Sequence, residues 1–514
     1  MARLLTQSGQ IPPERTMELV LSSFLAIIVV VALVVKGPYR GLWVFCAVTP
    51  LGAAAAINLP AVGGASFLVV DIAAMAMFGL VAMNRGGLSL IAGAMRIGQP
   101  GFWIALLLVF GTFATLMFPT VFAGKTEVFS LSRAVNDSGI ISIQLRPSSG
   151  NLTQLFRLFL GVATFFALAT VFRVRPDGRM IVTGLIVATS VNAALGWLDV
   201  ATYAVGMPEI LDPIRSANYA ILFDVRMAGM KRMIGGFPEA SSFGYFSLGL
   251  FGFWLQYWLD TPKSRLVPVM LAIAAIAVLR STSSASYVAM LVFLVTMFLM
   301  WLADNLRRQT DRRGFAIAVS AVLVAWLATI AIFAGYEYIG AVQGFLDRAL
   351  FDKLGGASGV ERLGWNAQAL QNFVDTGAMG AGLGSVRASS WIMATLASLG
   401  VIGTSLFILF IASVLYSPST RRVTDDRLIV VRALRAACIA LLISANLTGA
   451  TPDLGLFFFA CAGLAAGLNR GVILDWLAHK HSTSGTTAQI KDNPTSSAPL
   501  SPRDKRHPGI LAQN

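Results

Sequence analysis

Residues 17–35 read MELVLSSFLAIIVVVALVV, an apolar run closed by Lys36-Gly37-Pro38. At 1.5 Å per residue, about 20 such residues in a helix cross a bilayer core of about 30 Å. Arg3 and Arg15 precede the run, as in a secretory signal, but it is longer than a signal core and no A-x-A cleavage site stands before Lys36. It reads as the first membrane helix. Comparable runs recur along the chain, and hydropathy suggests about thirteen spans, near residues 17–35, 41–59, 62–83, 101–122, 153–172, 180–205, 240–259, 266–280, 285–302, 315–334, 389–416, 429–448 and 454–472. Of the 514 residues 56% are hydrophobic and 12% charged, against roughly 25% charged in a soluble domain. The expected fold is therefore all-α, a polytopic membrane bundle of about 12–14 helices, which excludes soluble Rossmann, barrel and sandwich folds.

Lys and Arg outnumber Asp and Glu by 39 to 25. The excess falls largely in short connections, where the positive-inside bias places it without any ligand, so nucleic acid is not the implied partner. Strict alternation puts Lys36/Arg40, Arg85/Arg96, Arg173/Arg175/Arg179, Lys263/Arg265, Arg307/Arg308/Arg312/Arg313, Arg421/Arg422/Arg427 and the C-terminal tail on one side, the expected cytoplasmic one. An odd count leaves residues 1–16 outside despite their two arginines; a missed or re-entrant segment near 86–97 could restore an even one. Cys46, Cys438 and Cys461 lie in apolar runs and read as packing residues, with no disulfide framework or CxxC site.

The chain thus divides into an N-terminal segment 1–16, a membrane domain 17–477, and a tail 478–514 rich in Ser, Thr, Pro, Lys and Arg and expected to be disordered. No internal repeat is evident, which argues against carriers built from two similar halves. Three sizeable loops fall outside, at 125–152, 206–239 and 335–388, and loops on a rigid scaffold are where chemistry is expected. The largest reads as two short helices. In it Ser358 and Glu361 have capping-box spacing, Val360, Leu363, Ala367, Leu370 and Val374 form an apolar stripe, and Arg362 and Asn366 share another face. Such a helix would lie along the membrane surface or cap the bundle.

Arg146, Arg157, Arg215, Arg226, Arg232, Arg280, Arg348, Arg362 and Arg387 are external or close to the external face, where topology does not call for them. Each could be solvated decoration; together they offer forks matched to phosphate oxygens. Arg280 ends an apolar run and is followed by Ser281-Thr282-Ser283-Ser284-Ala285-Ser286, and a charge so near hydrocarbon needs a partner or a wet cavity. In Arg232-Met233-Ile234-Gly235-Gly236-Phe237-Pro238-Glu239-Ala240-Ser241-Ser242, Glu239 stands at the mouth of a span. It could take a proton from an attacking hydroxyl, or Glu239, Ser241 and Ser242 could simply cap the helix after Pro238. Asp71 is a paired structural charge or a pathway residue. Gly380-Ala381-Gly382-Leu383-Gly384 follows no strand of a βαβ unit, so its glycines suit tight turns or close approach rather than a nucleotide loop. His479, His481 and His507 all lie in the tail, and no acidic cluster suggests a metal site; no cofactor is expected.

From Arg362 through Trp365 and the Gly380/Gly382/Gly384 turn to Leu399-Gly400-Val401-Ile402-Gly403, the chain resembles the bacterial O-antigen ligase and polymerase family. The arginine junctions at Arg232–Ser242 and after Arg280 are similar to those of that family. The resemblance implies a multi-pass enzyme of the bacterial inner membrane, active on its periplasmic face, that handles polyprenyl-diphosphate-linked oligosaccharides. Ligases of the family usually carry a histidine where this chain reads Arg387-Ala388-Ser389-Ser390-Trp391, and the usual acid before the Gly-x-x-Gly segment is Ser398. The expectation is therefore a metal-independent polymerase of an exopolysaccharide, capsule or O-antigen repeat, with ligase and flippase as alternatives. Arg232, Arg280 and Glu239 are the expected catalytic groups; Arg146, Arg157, Arg362, Trp365 and Arg387 the expected substrate contacts. Membrane lipids, a flippase and a chain-length regulator are the implied partners.

Overall fold

The apolar runs fold as helices that end where the sequence supplies glycine, proline or charge. The computed structural model describes residues 17–59, 65–131, 140–219, 221–222, 224–227, 229–261, 264–307, 312–340, 343–344, 347, 357–416 and 425–491. Contacts divide the chain into two compact units, Met1–Val472 and Ile473–Asn514. The helices are α1 (Leu21–Arg40), α2 (Leu42–Val48), α3 (Val69–Met83), α4 (Gly87–Ala94), α5 (Pro100–Val121), α6 (Ser149–Val174), α7 (Gly178–Ala204), α8 (Ala240–Asp260), α9 (Leu266–Arg280), α10 (Ser284–Arg307), α11 (Arg312–Tyr338), α12 (Ala357–Asp375), α13 (Trp391–Leu415), α14 (Arg427–Thr448) and α15 (Gly455–Lys491). Three antiparallel hairpins join them: β1 (Ala55–Leu59) with β2 (Ala65–Leu68), β3 (Glu127–Leu131) with β4 (Ile140–Gln144), and β5 (Arg226–Met227) with β6 (Met230–Lys231). The architecture is an all-α membrane bundle.

Among the described residues, 8 helices are long and apolar enough to span a membrane, and α3 with α4, bent by 108°, makes up to 9. This is fewer than hydropathy suggests: some apolar runs are broken or short, while 240–259 and 315–334 fold as the long helices α8 and α11 but are not among the apolar candidates. Segment 41–59 becomes the 7-residue α2, an irregular stretch and a strand. The expected spans at 62–83 and 266–280 yield 15-residue helices, α3 and α9. Segment 86–97 is α4, a helix turned back on α3 rather than a further crossing. In the large loop one helix, α12, is described, and it begins before Ser358, which therefore lies inside its first turn rather than at its cap. Its inner face, with Ala369 and Asn372 buried, meets β3 and α13, while Val360, Leu363, Leu370 and Val374 stay exposed. Helix α15 continues past Ala478 to Lys491, where the composition suggested disorder; the rest of the tail, residues 492–514, lies outside the described residues, as do residues 1–16.

The two ends of the bundle differ in chemistry. At one end Tyr39 donates to Asp177 at 2.7 Å, Arg427 to the Pro176 carbonyl at 3.1 Å and Arg432 to Asp260 at 2.9 Å, so the arginine-rich connections meet as alternation requires. At the other end the Ser22 hydroxyl donates to the Ala55 carbonyl and lies against Ser216. The start of α1 thus sits with the 206–239 loop rather than among the basic connections.

The glycine-rich segment before α13 has a structural task. Gly400 has φ +62 and breaks α13. The strand-like stretch beside it supplies the missing partners: Ala381 N–H donates to the Ala397 carbonyl, Gly382 N–H to Ser398, and Val401 N–H to Ala378. Gly380, Gly382 and Gly384 all have positive φ, and a Cβ on them would strike the Gly400 amide, the Pro119 ring and the Gly150 carbonyl, respectively. Close approach of backbone to backbone is what these glycines allow. Gly382→Ala and Gly400→Ala are expected to lose about 1–2 kcal/mol from left-handed backbone alone, with steric overlap in addition; a lowered midpoint in thermal unfolding of the detergent-solubilised protein checks this, and unchanged midpoints would refute it.

Candidate functional site

At the loop end a cavity of about 360 Å³ opens between α2, α3, α6, α8, α14 and α15. Three helix N-termini meet on it: α3 through Leu68 and Val70, α8 through Glu239, Ser241 and Ser242, and α15 through Leu454, Gly455 and Leu456. Each brings the positive end of a helix dipole, which favours anions.

Each N-terminus also carries a carboxylate, and the three are used differently. Asp71 accepts the Leu68 N–H at 2.9 Å and Arg157 Nη1 at 3.2 Å, so it is the paired structural charge and it fixes Arg157 against the cavity wall. Asp453 accepts the Gly455 N–H at 2.8 Å. Glu239 occupies the N-cap position of α8 but makes no capping bond. Its Oε1 instead receives the hydroxyls of Ser241 and Ser242. The capping alternative for Glu239 is thus not the one realised. Among the described residues Glu239 makes no ion pair, and its carboxylate faces the cavity with only hydroxyl partners.

Arg232 and Arg280 do not line the cavity; Arg232 lies in the field of Glu239 on its wall, and Arg280 is a neighbour of Arg232. Tyr287, whose hydroxyl donates to the Leu279 carbonyl at 2.7 Å, lies in the field of both guanidinium groups. Burial holds the Arg232 guanidinium below its ordinary pKa, and the charge of Glu239 offsets part of this. Arg232 Nε, Arg280 Nη1 and Arg387 Nε are buried and have no hydrogen-bond partner in the protein. The turn after Arg280 is buried as well: Ser281, Thr282 and Ser283 are nearly inaccessible, and Thr282 has φ +49, a strained setting for a β-branched residue. Gly244 on α8 admits this turn, since a Cβ there would collide with Ser286. Arg387 does not line the cavity, but its segment docks on the cavity's rim, with Ala388 N–H on the Ala450 carbonyl and Trp391 Nε1 on that of Pro452. Burial lowers the Arg387 pKa too.

The other sequence candidates lie elsewhere. Arg362 is exposed and Trp365 half-buried on α12, and Arg146 is exposed after β4; no contact brings any of them to the cavity. Arg226 bonds the Tyr203 hydroxyl, and Arg348 falls outside the described residues. Asp453, Tyr219 and Tyr245, all on the cavity wall, went unnoticed in the sequence. So did the group that sets the wall in place. Asp199 of α7 is buried and receives Arg215 Nη2 at 2.5 Å, Lys231 Nζ at 2.8 Å and the Ile234 N–H at 2.9 Å. An acid inside an apolar run was the signal, the same one that marked Asp71.

Asp199→Asn keeps the shape and removes the charge, leaving Arg215 and Lys231 buried and unpaired; a loss of about 3–5 kcal/mol is expected, read as a lower unfolding midpoint and less monodisperse protein in detergent. No protein-family model matches the sequence and no curated protein matches it, so the chemistry of the site rests on its own residues.

Proposed function

We propose that the chain is a membrane glycosyltransferase that polymerises polyprenyl-diphosphate-linked oligosaccharide repeats of a surface polysaccharide. The observation that carries this reading is an uncommitted carboxylate, Glu239, on the wall of a cavity at three helix N-termini, with Arg157 on the same wall and, off the lining but in the field of Glu239, Arg232, which keeps a buried N–H without a protein partner. The family resemblance of the arginine junctions adds to it. In the reaction, a sugar hydroxyl of one lipid-linked oligosaccharide attacks the anomeric carbon of another. The new C–O bond forms as the bond from that carbon to the diphosphate oxygen breaks. The hydroxyl proton passes to Glu239, and the bond pair leaves with polyprenyl diphosphate.

The leaving group gathers negative charge, and donors preorganised in a partly dry site stabilise such charge far better than water does. Arg232 and Arg280 are the assigned clamp, Arg157 a third cation held in aim by Asp71, and Arg387 a contact at the rim. Guanidinium forks suit this task because a diphosphate presents paired oxygens. The positive-inside bias orients the basic end to the cytoplasm and the cavity to the outside, the periplasm of a bacterial inner membrane.

Purified protein reconstituted with a lipid-linked repeat unit tests the reading: a ladder of polymer supports it, transfer to a core lipid indicates a ligase, and relocation without bond formation a flippase. Glu239→Gln is expected to lower the rate by on the order of 10²–10⁴-fold. Arg232→Lys and Arg280→Lys, which keep charge but lose the fork, should each cost on the order of 10²-fold or more, with unfolding midpoints unchanged. Wild-type polymer yield from all three variants would sink the assignment.

A further inference from the structure

The basic end of the bundle carries an arrangement that the cavity chemistry does not use. Helix α4 starts at Gly86, whose φ of +78 lets the chain reverse, and turns back from α3 by 108°. Gly87 and Ile91 face inward, while Met83, Leu88 and Ile97 are 88%, 67% and 84% exposed. Arg85 and Arg96, both exposed, bracket this apolar surface. A short helix lying across the bundle with apolar side chains outward and arginines at its ends has the pattern of a segment set into a headgroup layer.

Two further arginines approach it from behind. Arg173, in the last turn of α6, lies over the C-terminal turn of α4: a Cβ on Gly93 would come 3.2 Å from Arg173 Nη1. Helix α15 closes the third side, where a Cβ on Gly471 would come 2.9 Å from the Arg173 carbonyl, which brings the preceding residue, Arg470, beside α6. Arg173 lies in the field of both Arg470 and Arg96. Among the described residues no carboxylate is within ion-pair distance of Arg96, Arg173 or Arg470. Three like charges with no acid between them form a positive patch that attracts an anion.

We propose that the α3–α4 elbow, with the ends of α6 and α15, binds an anionic phospholipid of the leaflet that meets the basic end. Arg96, Arg173 and Arg470 hold the headgroup phosphate, and the acyl chains lie along Met83, Leu88 and Ile97. A free phosphate would satisfy the guanidinium groups but leave the apolar rim without a purpose, which favours the lipid. The site is separate from the cavity and does not depend on the reaction proposed for it.

Full-length protein in nanodiscs of phosphatidylcholine, with or without phosphatidylglycerol, provides the test. Retained lipid is quantified by mass spectrometry after delipidation, and thermal unfolding is followed in parallel. Phosphatidylglycerol should be retained preferentially and should raise the unfolding midpoint. Arg96→Gln and Arg470→Gln, which leave Arg173 in its contact with α4, should each lower retention roughly fivefold. Leu88→Asp, on the exposed face, should lower it as well with both arginines intact. Equal retention by wild type and variants overturns the proposal, as does a midpoint shift of the same size from inorganic phosphate in phosphatidylcholine discs. The comparison of the two lipid compositions on wild-type protein needs no variant to fold.

Discussion

The loop end is organised around one buried carboxylate. Asp199 is held among helices in a segment that would otherwise be apolar, and its charge is tolerable only because Arg215, Lys231 and the N–H groups of Ile234 and Gly235 converge on it. Those donors come from both ends of the 206–239 loop, so satisfying one charge fixes where that loop begins and where it finishes. Arg215 also donates to the Gly235 carbonyl and Lys231 to that of Arg232, which locks the final stretch further. Well-packed apolar residues could match such an ionic group in stability, since desolvation offsets most of the Coulomb gain. What they could not supply is the address: the loop must arrive with Gly236 and Phe237 against Pro50 and Gly52 and with Glu239 at the start of α8.

A second constraint follows from the solvent. Lipid offers no hydrogen bonds, so irregular backbone at membrane depth must be closed by protein. Segment 49–54 meets this through Ala53, whose N–H donates to the Gly236 carbonyl and whose carbonyl accepts from Ala217. The break at Gly400 meets it through residues 378–382. Both irregular segments lie toward the loop end, and α2 stops short there while α3, α8 and α15 begin. The end of α2 and the starts of α3, α8 and α15 all line the cavity.

How much of this was legible in the sequence depends on the range of the interaction. Apolar runs report their own helices, so the bundle, the loops and the re-entrant 86–97 segment could be read from local pattern. Local pattern also marked Arg157, Arg232, Arg280, Arg387 and Glu239, because each is a charge that topology does not require. It could not separate Arg215, which is spent on Asp199, from Arg232, which is not, since the difference lies in a partner 16 positions away that only folding brings near. Hairpins such as β3–β4 were invisible for the same reason, and Asp453 reaches the cavity wall because a helix starts two residues on, at Gly455. Arg362 and Trp365, prominent in the resemblance, lie on a helix whose buried face is made by other residues.

Four arginines among the described residues keep a buried N–H without a partner, and three of them, Arg232, Arg280 and Arg387, belong to the loop end; the fourth is Arg435 on α14. A buried donor left unmade costs about 1–3 kcal/mol, and Thr282 beside Arg280 adds a strained backbone of the same order. The surroundings hold these features in place: the Ser281 hydroxyl bonds back to the Val278 carbonyl, and Gly244 clears room for the turn. A protein free to optimise its stability would have put lysine or an apolar residue at such positions, or supplied an acid as it did for Arg215. An acid here would occupy the forks permanently. Under the proposed function, donors without a protein partner would serve an anion that arrives, gains charge as its bond breaks and then departs.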